Sequence, residues 1–358
     1  LKIDGDLGSN PLKGSVGVQV VHSRQSSTGS FSNFSVVGGQ PVVTVAPVSG
    51  STSYTNVLPS IALSLEAGDK MFVKLGAART IVRARLDQLR INSEFSANLS
   101  RLGSTDPANA VFSSNGGNIN LRPYMSDNFD ISLEKYFAKS GYIAISAYYK
   151  HLTNYVNSND SFIADFAPAS SVFLTPAQRA AVGTTLGKVS GPSNNGRGSL
   201  TGVEASLSLP FSNLSEGLSG LGFFGSLSYT DSKVLLGANV KPITLPGLSD
   251  WVGNAELYYE KHGFQVRASY RFRSSFLGEV AGLSANPDFR KAKSEGILDA
   301  QIGYEFQPGS ALAGLSILLQ AKNLTDRPFI TYANDDPKQV IDYQRYGRDY
   351  YLGLSYKF

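Results

Sequence analysis

The 358-residue chain has no cysteine, two methionines and three histidines. A disulfide framework and thiolate metal sites are therefore excluded, and little is left for a His-rich metal centre. No run of about 18 apolar residues occurs, so no helix of this chain is expected to cross a membrane. The net charge of +4 is dispersed, without the Lys/Arg block that marks a nucleic-acid-binding face. Position 1 is Leu, and no charged-then-apolar leader follows it. The chain is expected to have been processed, or to begin inside a longer protein.

What the sequence has is glycine (36), tyrosine (18) and phenylalanine (20), set in segments that alternate apolar and polar residues. Period two places each set on one face of a strand. Tyr350, Leu352, Leu354, Tyr356 and Phe358 share a face opposite Tyr351, Gly353, Ser355 and Lys357. Leu298, Ala300, Ile302, Tyr304 and Phe306 oppose Asp299, Gln301, Gly303 and Glu305. Val203, Ala205, Leu207 and Leu209 oppose Glu204, Ser206 and Ser208. Further segments lie near 14–25, 55–66, 70–82, 127–138, 141–156, 221–232, 250–261, 263–275 and 315–326. About twelve result, each near or above the roughly 9–11 residues with which a tilted strand crosses a bilayer.

The connections alternate too. Tight turns at 67–69, 139–141 and 261–263, with longer ones at 211–220 and 307–314, interleave with long Gly/Ser/Asn/Pro-rich loops. Those loops cover about 26–53, 83–125, 157–198, 233–249, 276–294 and 327–344. Short turns at one end and long loops at the other are the habit of outer-membrane barrels. Glu66, Lys74, Asp130, Glu134, Glu204, Glu256, Arg267, Arg271 and Asp299 would then face a wet lumen, with apolar residues against lipid. Aromatics near strand ends, among them Tyr136, Tyr142, Tyr148, Tyr258, Tyr259, Phe264, Tyr304 and Phe306, fit interfacial girdles or plain β-propensity. Residues 1–7 read as the tail of a strand arriving from the long-loop side, followed by a turn at 8–14. Twelve strands plus a severed one break the even-number habit of bacterial barrels, so earlier strands are expected to be missing. The expected fold is all-β, a transmembrane antiparallel β-barrel wall over residues 1–358.

Several clusters invite a chemical reading. Arg79, Arg83, Arg85 and Arg90 either attract an anionic ligand or lipopolysaccharide phosphate, or are ordinary solvated loop charges. Asp335-Asp336 lacks the Asp-x-Asp-x-Asp spacing of a calcium loop. His22 and His151 fall toward the long-loop end and His262 in a tight turn at the other, so the three cannot share a triad. Residues 175–182 read as a short helix with Thr175 as N-cap and Pro176 at the first helical position, either a lid or loop packing. Loop aromatics, Phe31, Phe95, Phe112, Phe166, Phe173, Trp251, Phe329 and Tyr332 among them, either stack on sugars or pack loops together. No catalytic residue, cofactor or metal is expected.

Certain stretches resemble TonB-dependent receptors common in Caulobacter-, Xanthomonas- and Sphingomonas-type bacteria. They are Tyr54-Thr55-Asn56-Val57-Leu58-Pro59-Ser60, Ala78-Arg79-Thr80 and Leu86-Asp87-Gln88-Leu89. Gly116-Gly117-Asn118-Ile119-Asn120-Leu121-Arg122-Pro123 is similar to that family's Gly-Asn-Pro-x-Leu-Lys-Pro element, and residues 126–137 follow as in the family. Lys322-Asn323-Leu324-Thr325-Asp326-Arg327-Pro328 resembles the penultimate-strand ending, and Tyr356 with Phe358 the barrel-assembly signal. Ile119, Arg122 and the Pro-less 82–85 depart from the pattern in loop detail. The resemblance implies the last twelve to thirteen strands of a 22-stranded barrel, closed by a plug that this sequence lacks. It further implies TonB-dependent nutrient uptake across the bacterial outer membrane, with an oligosaccharide as leading ligand and a siderophore or metal chelate second. A passive pore, or a structural barrel in an envelope complex, is the alternative. Implied partners are outer-membrane lipid and lipopolysaccharide, the TonB complex through the plug, the barrel-assembly machinery and a small-molecule ligand, but no nucleic acid. Candidate ligand-binding residues in loops and lumen are Arg83, Arg85, Asp87, Tyr124, Trp251, Phe329, Tyr332, Asp335 and Asp336.

Overall fold

The computed structural model describes residues 1–37, 40–137, 140–237, 241–281 and 287–357. In chain order the strands are β1 (Lys2–Leu7), β2 (Asn10–Val37), β3 (Gln40–Glu66), β4 (Met71–Val82), β5 (Ser93–Ala97), β6 (Phe112–Gly116), β7 (Tyr124–Phe137), β8 (Gly141–Asp165), β9 (Leu186–Pro210), β10 (Leu221–Leu235), β11 (Trp251–Lys261), β12 (Phe264–Arg273), β13 (Phe276–Ala281), β14 (Pro287–Ala292), β15 (Glu295–Glu305), β16 (Leu315–Lys322), β17 (Phe329–Tyr332), β18 (Val340–Gln344) and β19 (Asp349–Tyr356). Each alternating segment of the sequence falls on one of them, and residues 1–7 supply β1.

The barrel wall is an antiparallel meander in the order β1-β2-β3-β4-β7-β8-β9-β10-β11-β12-β15-β16-β19. Register explains why alternation survives from strand to strand. Leu75 lies opposite Ile131, Leu133 opposite Ile145, Ile145 opposite Ala205, Ile302 opposite Leu319, and Leu319 opposite Leu352. A slip of one residue anywhere would break this row. The row is nevertheless uncovered: Leu133 is 46% exposed, Ile145 49% and Leu352 69%. An apolar face turned outward is a barrel wall that meets lipid, and no helix among the described residues is long and apolar enough to cross instead.

Outward ring pairs bound the band. Tyr229 and Trp251 lie 4.8 Å apart at the long-loop end. Tyr259–Phe264 at 6.0 Å and Tyr304–Phe306 at 5.0 Å mark the turn end. Tyr136, Tyr142, Tyr148 and Tyr258 alternate onto the other, polar face, so the girdle uses only part of the aromatic set. At the turn end, β11 and β12 are joined by His262-Gly263, with φ of 54° and 83°, as a type I′ hairpin requires. The turn expected at 8–14 is only Gly8-Ser9, because Leu7 already pairs with Asn10.

The long connections are more ordered than their composition suggests. β2 and β3 stay paired from Leu12↔Leu65 to Val37↔Gln40, far past the band, and β8 with β9 does likewise. Two short strands bridge these hairpins. β5 runs parallel to β2 at Phe31↔Ser93, β6 pairs with β5, and β6 runs parallel to β9 at Ser114↔Val189. Alternate side chains then meet under helix α1 (Ala167–Phe173), and Phe31, Phe95, Phe112, Phe166 and Ala169 form a buried core. Phe95 and Phe173 stack at 4.6 Å. Loop aromatics of this region therefore pack loops together. The expected short helix is α2 (Pro176–Ala180), where Thr175 and Gln178 form a complete capping box. Residues 117–123 dock onto this cap. Gln25 Nε2 donates to the carbonyls of Ile119 (2.6 Å) and Leu121 (2.8 Å), and Leu121 is fully buried. At the other side of the mouth, β13-β14-β17-β18 form a separate four-stranded sheet from the connections at 276–294 and 327–344.

Candidate functional site

The face opposite the apolar band is polar along the whole wall. Strand alternation alone puts it there, and cross-strand pairing organises its charges. Lys74 donates to Glu134 at 2.8 Å. Arg267 bonds Glu256 at 2.7 Å and also Glu260, and Arg271 bonds Asp299 at 3.1 Å. Lys74, Arg267 and Arg271 are thus held by carboxylates of this face, which pre-orients them, while Lys150 and Lys322 lie over the Tyr148 and Tyr351 rings.

Toward the long-loop end, amides and hydroxyls take over between β2 and β11. Asn128 Nδ2 donates to Ala78 O at 3.0 Å and to Thr80 Oγ1 at 3.1 Å. Tyr148 Oη and Thr230 Oγ1 are 2.5 Å apart. The Tyr148 ring lies on Gly202, where any Cβ would overlap it. Glycine is needed there because the aromatic covers the neighbouring strand. Tyr54 donates to Gln25 at 3.4 Å, and the Tyr124 and Tyr155 rings are 5.7 Å apart. Such a wall can offer directional hydrogen bonds and ring faces.

The nine residues singled out in the sequence divide into three places. Arg83, Arg85, Asp87 and Tyr124 sit together at the mouth, just past the Val82↔Tyr124 pair. Arg83 reaches Ser23 Oγ at 3.3 Å, and Arg85 clasps Asp87 at 2.6 Å. Hydrogen bonding from Arg85 holds the Asp87 carboxyl below the usual carboxylate range. Phe329, Tyr332, Asp335 and Asp336 belong to the four-stranded sheet and its turn. Tyr332 is buried there, Asp335 pairs with Lys291 at 2.6 Å, and Asp336 accepts from Lys338 N at 3.0 Å. Asp335 and Asp336 thus lie in the turn that joins β17 to β18, each held by a partner from this sheet or its turn. Trp251 is corrected outright: it alternates with Gly253, Ala255 and Leu257 on the apolar face, in the girdle with Tyr229. Nor do the four arginines of the basic cluster act together, since Arg79 turns outward and forms a two-point pair with Asp127 at 2.7 and 3.0 Å. Tyr356 faces outward at the turn end opposite Leu315, while Phe358 lies outside the described residues. No group of three His, Asp or Glu among the described residues could hold a metal.

Sequence reasoning did not anticipate Arg273, which stacks on Phe276 at 3.6 Å and bonds Ser249 Oγ at 2.7 Å. Its parity with Arg267 and Arg271 was the available signal. Asp326 was likewise missed as the partner of Arg345, whose hydrogen bonds hold its carboxyl low.

Comparison with known proteins agrees with this geometry. The family model described as "TonB dependent receptor-like, beta-barrel" matches residues 3–324. Among solved structures, the siderophore receptor PirA from Acinetobacter baumannii aligns over 100% of this chain and 53% of its own, at 17% identity and TM-score 0.57. The ferric citrate transporter FecA aligns over 99% of this chain and 43% of its own, at 13% identity and TM-score 0.57. The ferric-catecholate import receptor Fiu from Escherichia coli K12 aligns over 98% and 42%, at 15% identity and TM-score 0.56. The chain thus spans about half or less of these relatives' length, and the likeness shows the fold they share. No curated protein matches the sequence.

Proposed function

We propose that this chain, which belongs to the TonB-dependent receptor-like β-barrel family, forms the C-terminal wall of an outer-membrane receptor for active uptake of a neutral oligosaccharide. The observation that carries the ligand class is the amide and tyrosine wall at the mouth, typified by the half-buried Asn128, Tyr148 and Tyr124. Sugars are bound by directional hydrogen bonds and ring faces, and a net cationic field adds nothing for them. In the intact receptor a plug closes the lumen and couples to the TonB complex. The barrel-assembly machinery inserts the wall, and lipopolysaccharide surrounds its outer half. Nothing in this wall acts as a catalyst in this reading.

A metal chelate is the second reading. The three solved relatives are, by their names, receptors for iron complexes, and Arg271 and Arg273 line the opposite part of the mouth. Calorimetry on the intact receptor separates the two. Saturable binding of neutral oligosaccharides with no response to ferric citrate is expected, and the reverse result would replace the first reading with the second. The intact mass of the native polypeptide tests the transporter itself. A mass well above the 38.3 kDa of these residues is expected, whereas a mass near it would favour a small pore or a barrel completed by another chain.

A further inference from the structure

The inner face of the wall is not uniform. On β12 and β15 it carries Gln265, Arg267, Ser269, Arg271, Gln301 and Asp299, and no aromatic ring. On β7 and β8 the same parity brings rings to both ends. At the mouth, the Tyr124 and Tyr155 centroids are 5.7 Å apart. At the turn end, Tyr136 lies opposite Tyr142, with centroids 5.9 Å apart and planes 27° from parallel. Phe72 on β4 meets Tyr136 edge-on at 6.0 Å. Tyr136 alternates with Glu134, Ser132 and Asp130 along β7, so it faces the lumen and takes no part in the outer girdle. β-Propensity favours aromatics in strands, but it does not gather them at the two ends of one hairpin.

The turn-end pair is held and yet accessible. Tyr136 is 43% exposed. Its hydroxyl donates to Glu134 at 3.1 Å, and Lys74 donates to the same carboxylate at 2.8 Å. Tyr258, inward near the same end on β11, is different, because its ring lies on Gly222 and carries the Arg267 guanidinium 5.4 Å from its centroid. From Tyr124 to Tyr136, β7 runs roughly 40 Å. A depression of about 580 Å³ in this stretch is lined by Gly76, Ser132 and Ser146, with Asp130 and Glu204 exposed beside them. The small side chains leave room, and carboxylates accept hydrogen bonds from hydroxyls.

We propose that the β7–β8 hairpin is the track along which the oligosaccharide crosses the lumen, and that Tyr136 and Tyr142 form an exit station where a sugar ring stacks before leaving at the turn end. The proposal rests on the oligosaccharide reading above and adds to it a second binding site and one side of the lumen. Mouth and exit offer the same chemistry, a pair of rings beside hydrogen-bonding groups, Asn128 at the mouth and Glu134 at the exit. An anionic chelate gains little at the exit rings, because the neighbouring cation, Lys74, is already held by Glu134.

The test uses the intact receptor and labelled short neutral oligosaccharides of glucose, mannose and xylose. Calorimetry is scored first, and absence of binding overturns the functional reading together with this one. With the sugar that binds, benzoylphenylalanine in place of Tyr136 should capture label under light in energised cells. Capture should be several-fold greater than with the same residue in place of Tyr258. The double variant Tyr136→Ala/Tyr142→Ala should lower the maximal uptake rate about tenfold and leave calorimetric affinity at the mouth unchanged. Tyr136→Phe keeps the ring and should keep uptake. Heat-modified mobility on gels confirms that each variant is folded, and the cross-linking carries the test if the double variant does not fold. Equal capture at the two positions overturns the track, as does no capture while sugar still enters. So does an unchanged uptake rate in the folded double variant. Each of these last three outcomes leaves the oligosaccharide reading standing.

Discussion

The band and the cap of this molecule are built from the same hairpins and end in opposite states. The strands β2, β3, β8 and β9 run through both. In the band, Leu133 and Ile145 point away from the protein and stay about half exposed. In the cap, Phe112 and Phe166 point together and are 1% and 0% exposed. The difference lies in what surrounds each face. Lipid accepts apolar side chains, so the band needs no second layer. Water does not, so the extended hairpins β2–β3 and β8–β9 must find each other, and β5 and β6 bridge them. Burial alone is therefore a poor guide to which apolar residues hold this protein together.

The largest expected effect is in the cap. Phe166 meets Phe31, Phe95 and Phe112 at 5.6, 5.7 and 5.9 Å. Phe166→Ala leaves a cavity in a closed core and should cost about 3–5 kcal/mol of cap stability. Amide hydrogen exchange is expected to speed up in β5, β6 and α1 while β11 and β12 keep their protection. Equal loss in both regions would show that band and cap unfold as one unit. Leu133 makes the complementary case. Leu133→Arg should cost about 2–4 kcal/mol in a receptor refolded into vesicles, since it places a charge on the lipid face. Leu133→Ala, which leaves no closed cavity, should cost far less than the cap substitution. If the alanine costs as much as Phe166→Ala, the face is not against lipid.

A smaller effect sharpens the boundary within the cap. The Thr175 hydroxyl accepts from Gln178 N at 3.3 Å, and Gln178 Oε1 accepts from Thr175 N at 2.9 Å. Thr175→Ala removes half of that box and should cost about 0.5–2 kcal/mol, visible as faster exchange in α2 alone. An effect spreading into β9 would make α2 a keystone of the cap rather than an edge.

How much of this could be read from the sequence follows the same division. The band was legible because lipid contact leaves each strand's pattern independent of its neighbours, and alternation in 297–306 or 350–358 is its own evidence. The cap was not. Residues 26–53 and 186–198 are rich in Ser, Gly and Asn, residues of low β-propensity, and they pair because the band delivers them in register at its rim. Phe31 and Phe166 are 135 positions apart, so no local pattern could announce their contact. At the mouth, Arg83, Arg85, Asp87 and Tyr124 come near the same rim because they follow or end the one strand pair Val82↔Tyr124. Trp251 was misassigned because its position at a loop's end concealed its parity with Leu257, which puts it on the lipid side. Asp335 and Asp336 looked available because Lys291, which pairs with Asp335, comes from another connection.

The smallest expected effect concerns acid. Asp87 is paired with Arg85 outside the band, and that pairing lowers the folded carboxyl below its ordinary value of 3.8. A depressed carboxylate contributes stability that is fully present above the ordinary value and is lost as pH falls through it toward the lower, folded one. Both partners are well exposed, at 62% and 43%, so the contribution should stay under about 1 kcal/mol. Leu89 N donates to Arg85 O at 3.2 Å, and Gln88 ties this loop to Ser158 on β8 at 3.1 Å. Acidification below the ordinary Asp range should therefore speed amide exchange at Gln88 and Leu89, and Asp87→Asn should abolish that pH dependence. Strands of the band should keep their protection at this pH, because backbone ladders and lipid contact outweigh the ion pairs on their polar face. A parallel loss of protection in β11 would mean that acid acts on the wall, and the mouth loop would then be following it.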